Sequence, residues 1–157
     1  MIVVLMGVSG CGKTTIGKLL AARLGCAFLD GDDFHPPENV AKMASATPLG
    51  DEDRRPWLEH LNRELRAGNN VVMACSALKQ AYRDILTDGV PACRLVHLRG
   101  SLELIRARLT ERRHRYMPAS LLESQFAALE PPAGAIEVDV AMAAEKCVQA
   151  IASALAR

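Results

Sequence analysis

The stretch Gly7-Val8-Ser9-Gly10-Cys11-Gly12-Lys13-Thr14 constrains this chain more than any other. It fits the spacing G-x-x-x-x-G-K-[ST] of a phosphate-binding loop. Ile2-Val3-Val4-Leu5-Met6 ahead of it is a short apolar run, as in a buried strand. Behind it, Ile16, Leu19, Leu20 and Leu24 recur at helical spacing. A strand, a glycine loop and a helix in that order aim successive N–H groups and a helix dipole at one point, where an anion is held. Glycines at 7, 10 and 12 let the backbone close on the ligand. The residues expected to hold a nucleoside triphosphate are therefore Gly7, Val8, Ser9, Gly10, Cys11, Gly12, Lys13, Thr14 and Thr15. Lys13 is expected to reach the β- and γ-phosphates, and the Thr14 hydroxyl to meet Mg²⁺.

The rest of the chain is read around that loop. At 157 residues it has length for one domain with a sizeable core. The net charge of +1 gives no field-level reason to expect nucleic acid or membrane as a partner. No apolar run approaches the roughly 20 residues of a bilayer span, and a signal peptide is not expected ahead of the loop. Cys11, Cys26, Cys75, Cys93 and Cys147 are odd in number and scattered, with no C-x-x-C pair. They read as reduced thiols of a cytoplasmic protein. Cys11 stands where oxidation would hinder nucleotide binding.

Strands are expected at residues 2–6, 27–30, 70–75, 93–98 and 135–138. Helical stretches fall near 13–24, 37–45, 52–66, 78–87, 101–113, 119–129 and 141–156. Strand and helix alternate, which implies an α/β fold with a parallel sheet and helices on both faces. In such folds the ligand sits beyond the carboxyl ends of the strands. Asp30, Ser76 and Gly100 all fall at or just past strand ends.

Asp30-Gly31-Asp32-Asp33 crowds three carboxylates into four residues. An acidic turn in solvent explains that as well as a site does, but beside a phosphate loop two tasks await a carboxylate. One holds Mg²⁺, and the other accepts the proton of the acceptor hydroxyl. Asp33 reads as a solvated neighbour or a helix cap. His35 suits a cap or a substrate hydrogen bond better than a base. Asp51 is the expected N-cap of the next helix, and Trp57 reads as packing. Arg54 either clamps an anionic substrate through paired hydrogen bonds or forms a surface ion pair. Lys79 and Arg83 are four apart and are expected to share a helix face, facing an anion or solvent. Arg106, Arg108, Arg112, Arg113, His114 and Arg115 form a basic cluster, read as a mobile lid over the phosphates.

With those residues in view, the chain resembles the gluconokinases, small P-loop kinases similar in build to shikimate kinase. The resemblance rests on residues 7–14 (GVSGCGKT), 29–49 (LDGDDFHPPENVAKMASATPL), 51–58 (DEDRRPWL), 75–84 (CSALKQAYRD), 97–109 (HLRGSLELIRARL) and 117–132 (MPASLLESQFAALEPP). It implies a three-layer P-loop kinase fold with a five-stranded parallel sheet in order 2-3-1-4-5, spanning residues 1–157 as one domain with a helical lid near 110–118. It implies ATP-dependent phosphorylation of D-gluconate with Mg²⁺, in a cytoplasmic homodimer that binds neither nucleic acid nor membrane. By similarity to shikimate kinase, Asp30 matches the metal-side carboxylate, Asp32 the substrate-side carboxylate and Arg54 a substrate-carboxylate arginine. Lys13 and Asp32 are then the catalytic pair. Asp32, His35, Arg54, Lys79 and Arg83 face the substrate, Arg108 and Arg112 join the ATP side, and Thr14 and Asp30 hold the metal. The chain departs from the family at the lid, where Arg112-Arg113-His114-Arg115-Tyr116-Met117 stands for the common R-K-G-H-F-M. Cys75-Ser76-Ala77 stands where shikimate kinases carry a glycine triplet. No Asn-Lys dipeptide marks a guanine-reading switch protein.

Overall fold

The computed structural model of the protein describes residues 1–112 and 119–157, and the side chains of all of these except 112, 119 and 120. The expected lid residues 113–118 and the Arg112 side chain thus lie outside the described residues. In chain order the elements are β1 (Ile2–Met6), α1 (Lys13–Leu24), β2 (Ala27–Asp30), a 3₁₀ turn (Gly31–Phe34), α2 (Pro37–Ala44) and α3 (Asp51–Ala67). β3 (Val71–Ala74), α4 (Gln80–Thr87), β4 (Cys93–Arg99), α5 (Leu102–Arg112), α6 (Ala119–Ala128), β5 (Ile136–Asp139) and α7 (Ala144–Leu155) follow. The sheet runs β2-β3-β1-β4-β5, with every pairing parallel.

β1 is apolar throughout because it is buried on both faces. Val3 and Leu5 point into one core with Ile16 and Leu20 of α1, Ile105 and Leu109 of α5, and Val148 and Ile151 of α7. Ile2, Val4 and Met6 point into the other core with Trp57, Leu58, Leu61 and Leu65 of α3 and Leu86 of α4. Each such side chain contributes about 1.5–3 kcal/mol of burial. The sheet is thereby clamped from both sides, and the carboxyl ends of β1, β2 and β3 are fixed relative to one another.

Two local expectations are corrected. Asp51 is not the N-cap of α3; Gly50 is, and its N–H donates to the Asp53 carboxylate at 2.8 Å. Asp51 is drawn away because its carboxylate accepts from Tyr82 and Lys79. Lys79 and Arg83 do not share an exposed helix face. Lys79 is the N-cap of α4, and Arg83 is turned inward, 3% exposed.

Candidate active site

The phosphate loop joins β1 to α1. Gly7 has φ 153°, and a Cβ there would lie 2.7 Å from the Leu98 carbonyl oxygen, so only glycine fits this close approach to β4. Gly12 heads α1 in the left-handed region at φ 102°. The Lys13 ammonium donates to the Gly7 and Val8 carbonyls at 2.9 and 3.0 Å, so it lies across the mouth of its own loop. Cys11 is fully buried, so its thiol faces the core and not the mouth of the loop.

At the end of β2, the Asp30 carboxylate is held from two sides. One oxygen accepts from the Thr14 hydroxyl at 2.9 Å, the other from the Asp32 N–H at 3.0 Å. The second bond caps the 3₁₀ turn, which the sequence pattern did not reveal. Thr14 and Asp30 form a hard-oxygen pair beside the phosphate loop. That suits Mg²⁺, which takes one or two protein oxygens and fills its shell with phosphate and water. Among the described residues no group of three or more His, Cys, Asp or Glu side chains is arranged for a metal. A metal held by this pair would complete its shell with phosphate and water.

A cleft of about 430 Å³ opens between this end of the sheet, α2, α3 and α6. Lys13, Thr14, Asp30 and Asp32 form its floor, and Val40, Met43, Pro48 and Leu49 give it an apolar wall. The Asp32 side chain is 76% exposed, with an oxygen 3.8 Å from His35 Nε2. His35 stacks on Trp57, with ring centroids 4.1 Å apart and planes 16° from parallel. The Trp57 indole N–H is fixed by the Gly31 carbonyl at 2.7 Å. Trp57 is thus core packing and cleft lining at once. Burial, and secondarily the positive charge of Arg54, push the His35 pKa down to about 4.

Arg54 also lines the cleft. It donates to the Leu49 carbonyl and, at 3.4 Å, to the Tyr82 hydroxyl, and its guanidinium lies 5.3 Å from the Tyr82 ring centre. Behind it, Asp51 accepts from Tyr82 and, at 3.3 Å, from Lys79. Those two hydrogen bonds, the Tyr82 one first, hold the Asp51 carboxyl below its ordinary range. Lys42 pairs with Asp53 at 2.9 Å, and that contact, followed by the Gly50 N–H, does the same for Asp53.

The sequence-predicted residues are therefore divided. Lys13, Thr14, Asp30, Asp32, His35 and Arg54 meet around one cleft. Lys79 stands behind Tyr82. Arg83 donates to the Ala77, Leu78 and Glu130 carbonyls at 2.8, 3.1 and 2.8 Å, so it ties the loop after β3 to the end of α6. Arg108 donates to the Val140 carbonyl at 2.5 Å, past the end of β5.

Three contributors escaped the sequence reading. Gln125 of α6 reaches the phosphate loop, where its carbonyl accepts from the Ser9 N–H at 2.8 Å and its amide meets the Ser9 hydroxyl at 3.2 Å. Asn39, 2% exposed, joins His35 to α3. Tyr82 backs Arg54. Only a buried polar residue inside an amphipathic stretch could have pointed to Asn39, and nothing local marks Gln125.

Comparison with known proteins bears on this arrangement. A family profile described as shikimate kinase matches residues 9–128. A probable gluconokinase of Xenopus tropicalis is 48% identical over 88% of this chain and 86% of its own length. The thermosensitive gluconokinase of Escherichia coli is 45% identical, over 94% of this chain and 86% of its own. The crystal structure of a gluconokinase from Sinorhizobium meliloti superposes with a TM-score of 0.93 at 41% identity, over 99% of this chain and 91% of that one. Shikimate kinase from Aquifex aeolicus, at 19% identity and a TM-score of 0.63, shares the fold.

Proposed function

Because the chain belongs to the gluconokinase family, we propose that it transfers the γ-phosphoryl group of ATP to a hydroxyl of D-gluconate, giving ADP and 6-phospho-D-gluconate. The observation that carries the acceptor assignment is Arg54. It lines the cleft, its hydrogen-bond and ring partners among the described residues are a carbonyl, a phenol hydroxyl and an aromatic ring, and the carboxylates of Asp51 and Asp53 feel its charge through space without a direct ion pair. Its charge is oriented but not neutralised by a contact carboxylate. A planar guanidinium in that state matches a substrate carboxylate.

The remaining roles follow from position. Residues 7–15 and Lys13 hold the triphosphate, through loop amides other than those of Gly7, Ser9 and Cys11, which already donate to Ser76, Gln125 and Val8, and offset charge on the transferring group. Thr14 and Asp30 would hold Mg²⁺, which would supply neutralising charge to the phosphates during transfer. The acceptor oxygen bonds to phosphorus as the bond from phosphorus to the ADP oxygen breaks, and the hydroxyl proton passes to Asp32. His35 and Arg54 bind the acceptor. Arg108 and Arg112 are assigned to the nucleotide side. Lys79 acts through Asp51 and Tyr82, and Arg83 supports the backbone, so neither is retained as a direct substrate contact. The same reading treats residues 1–157 as one kinase unit with a lid near 110–118, active in the cytoplasm as a homodimer. No helix among the described residues is long and apolar enough to cross a membrane.

A coupled ADP-release screen over sugar acids, neutral sugars, shikimate and nucleoside monophosphates tests this. Gluconate should stimulate turnover and glucose hardly at all. Stimulation by shikimate or a nucleoside monophosphate alone would replace the acceptor assignment.

A further inference from the structure

His35 stands over the reacting end of the cleft, and which of its nitrogens carries the proton decides what it can do there. Neighbouring groups settle that. The Asn39 side-chain nitrogen lies 2.9 Å from the Asp53 carbonyl oxygen and 3.2 Å from His35 Nδ1. A carbonyl oxygen only accepts, so the amide NH₂, not the amide oxygen, must face Asp53. The second hydrogen of the same NH₂ then points at His35 Nδ1, which must accept it. A neutral imidazole that accepts at Nδ1 carries its proton on Nε2. Nε2 is the nitrogen on the Asp32 side, 3.8 Å from a carboxylate oxygen. The ring cannot turn freely to escape this arrangement. Its plane is held against Trp57, and the His35 side chain is 3% exposed. Asn39 itself is 2% exposed, anchored on α2 and bonded to the main chain of α3.

We propose that Asn39 is a positioning residue that locks His35 as the neutral Nε2–H tautomer. His35 then donates a hydrogen bond to an oxygen of the acceptor and takes no proton from it. The consequence separates two neighbouring candidates for one task. A nitrogen already bearing hydrogen cannot receive the hydroxyl proton, so Asp32 alone of the pair receives it. The lowered basicity of the buried ring keeps it neutral near pH 7 and agrees with this division. His35 becomes a reader of hydroxyl oxygens, and Asn39 sets that reading from a position that touches no substrate. The assignment rests on the gluconate reading only for the identity of the acceptor; the tautomer does not depend on it.

The test has a spectroscopic arm and a kinetic one. Long-range proton–nitrogen correlation spectra of the nitrogen-labelled wild-type protein near neutral pH report which ring nitrogen is protonated, and His35 is assigned by the signals lost in His35→Gln. The account predicts a bare Nδ1 and a protonated Nε2. A protonated Nδ1, or protons on both nitrogens, overturns it. Asn39→Ala should release the lock and give mixed tautomers; an unchanged Nε2–H tautomer in a folded Asn39→Ala protein would remove the role given to Asn39. In the kinetic arm, His35→Gln retains an N–H donor near the Nε2 position, whereas His35→Leu has none. Losing one neutral hydrogen bond corresponds to roughly 3- to 10-fold in affinity. His35→Leu should therefore raise the gluconate KM by about that factor with the ATP KM unchanged, and His35→Gln should recover most of it. Equal gluconate KM values for the two variants would contradict donation by His35. Wild-type protein that shows the Nε2–H tautomer but does not phosphorylate gluconate would instead remove the proposed substrate and leave the Asn39 lock standing.

Discussion

The two halves of the cleft are built by different means. The phosphate half is almost contiguous in sequence. Residues 7–14 supply its backbone, and a side chain from the same stretch, Lys13, lies across it. Its specificity lies in glycine positions and main-chain N–H groups, which any nucleotide kinase can use. The acceptor half gathers Asp32 from the 3₁₀ turn, His35 before α2, Arg54 from α3 and Tyr82 from α4. Its residues are held by other side chains: His35 by Asn39 and Trp57, Arg54 by Tyr82, and Tyr82 by Asp51. A backbone cradle is set by local conformation. A side-chain site is set by tertiary contacts, and it can be retuned without disturbing the loop beside it.

That contrast can be broken first at Lys13. An arginine finger that stabilises a transferring phosphoryl group is worth about 10³–10⁵-fold in rate, and Lys13 is given a comparable charge-stabilising task. Lys13→Ala should lose activity on that scale while its thermal unfolding stays near wild type, because among the described residues Lys13 bonds to loop carbonyls and a thiol and fills no core position. Near-normal turnover in a folded variant would remove the phosphate half from the account.

Asp32→Asn sharpens the contrast from the other side. General-base catalysis contributes roughly 10²–10⁴-fold. The loss should appear in kcat with the KM of both substrates little changed, because the proton moves only as the bond forms. A loss confined to KM would make Asp32 a binding residue.

A smaller effect concerns acid stability, and in the acceptor half His35 carries it. The pKa of His35 is lowered from its ordinary 6.5 to about 4 in the folded protein. Between those values the unfolded chain binds the proton and the folded one does not, so stability is full above pH 6.5 and falls as pH drops toward 4. From pH 8 to pH 5 the change is on the order of 2 kcal/mol. The lowered carboxyls of Asp51 and Asp53 act in the same direction at still lower pH. Denaturant melts of wild type and His35→Gln across this range check it. The variant should lose the His35 share of the pH dependence above pH 5 and keep what buried His97, whose pKa burial also lowers, contributes; identical profiles would place the whole titration elsewhere.

The same difference explains how legible each half is in sequence. β1, the loop and α1 have the bounds expected from apolar periodicity and glycine spacing, because local rules determine them. The sheet order follows the family resemblance. The 3₁₀ turn at Gly31–Phe34 did not emerge, since it depends on an Asp30 side chain capping the Asp32 N–H. Asp51 looked like a cap from its place before a helical pattern, but Tyr82, far along the chain, claims its carboxylate. Arg83 looked exposed by its spacing from Lys79, yet three backbone carbonyls hold it inside. Gln125 acts through a partner distant in sequence, and Asn39, though one turn from His35, is oriented by the Asp53 carbonyl of another helix; no local pattern announces either tie.

The central claim is that Arg54 reads the acceptor and leaves the nucleotide to the loop. Steady-state ADP release by wild type, Arg54→Ala and Arg54→Lys, with ATP and gluconate varied in turn, tests it most directly. A charge-assisted hydrogen bond contributes about 1.5–3 kcal/mol, roughly 10- to 150-fold in affinity. The account predicts that Arg54→Ala raises the gluconate KM within that range and leaves the ATP KM near wild type, with Arg54→Lys restoring only part of the loss. An unchanged gluconate KM, or a loss that falls on ATP instead, would contradict it.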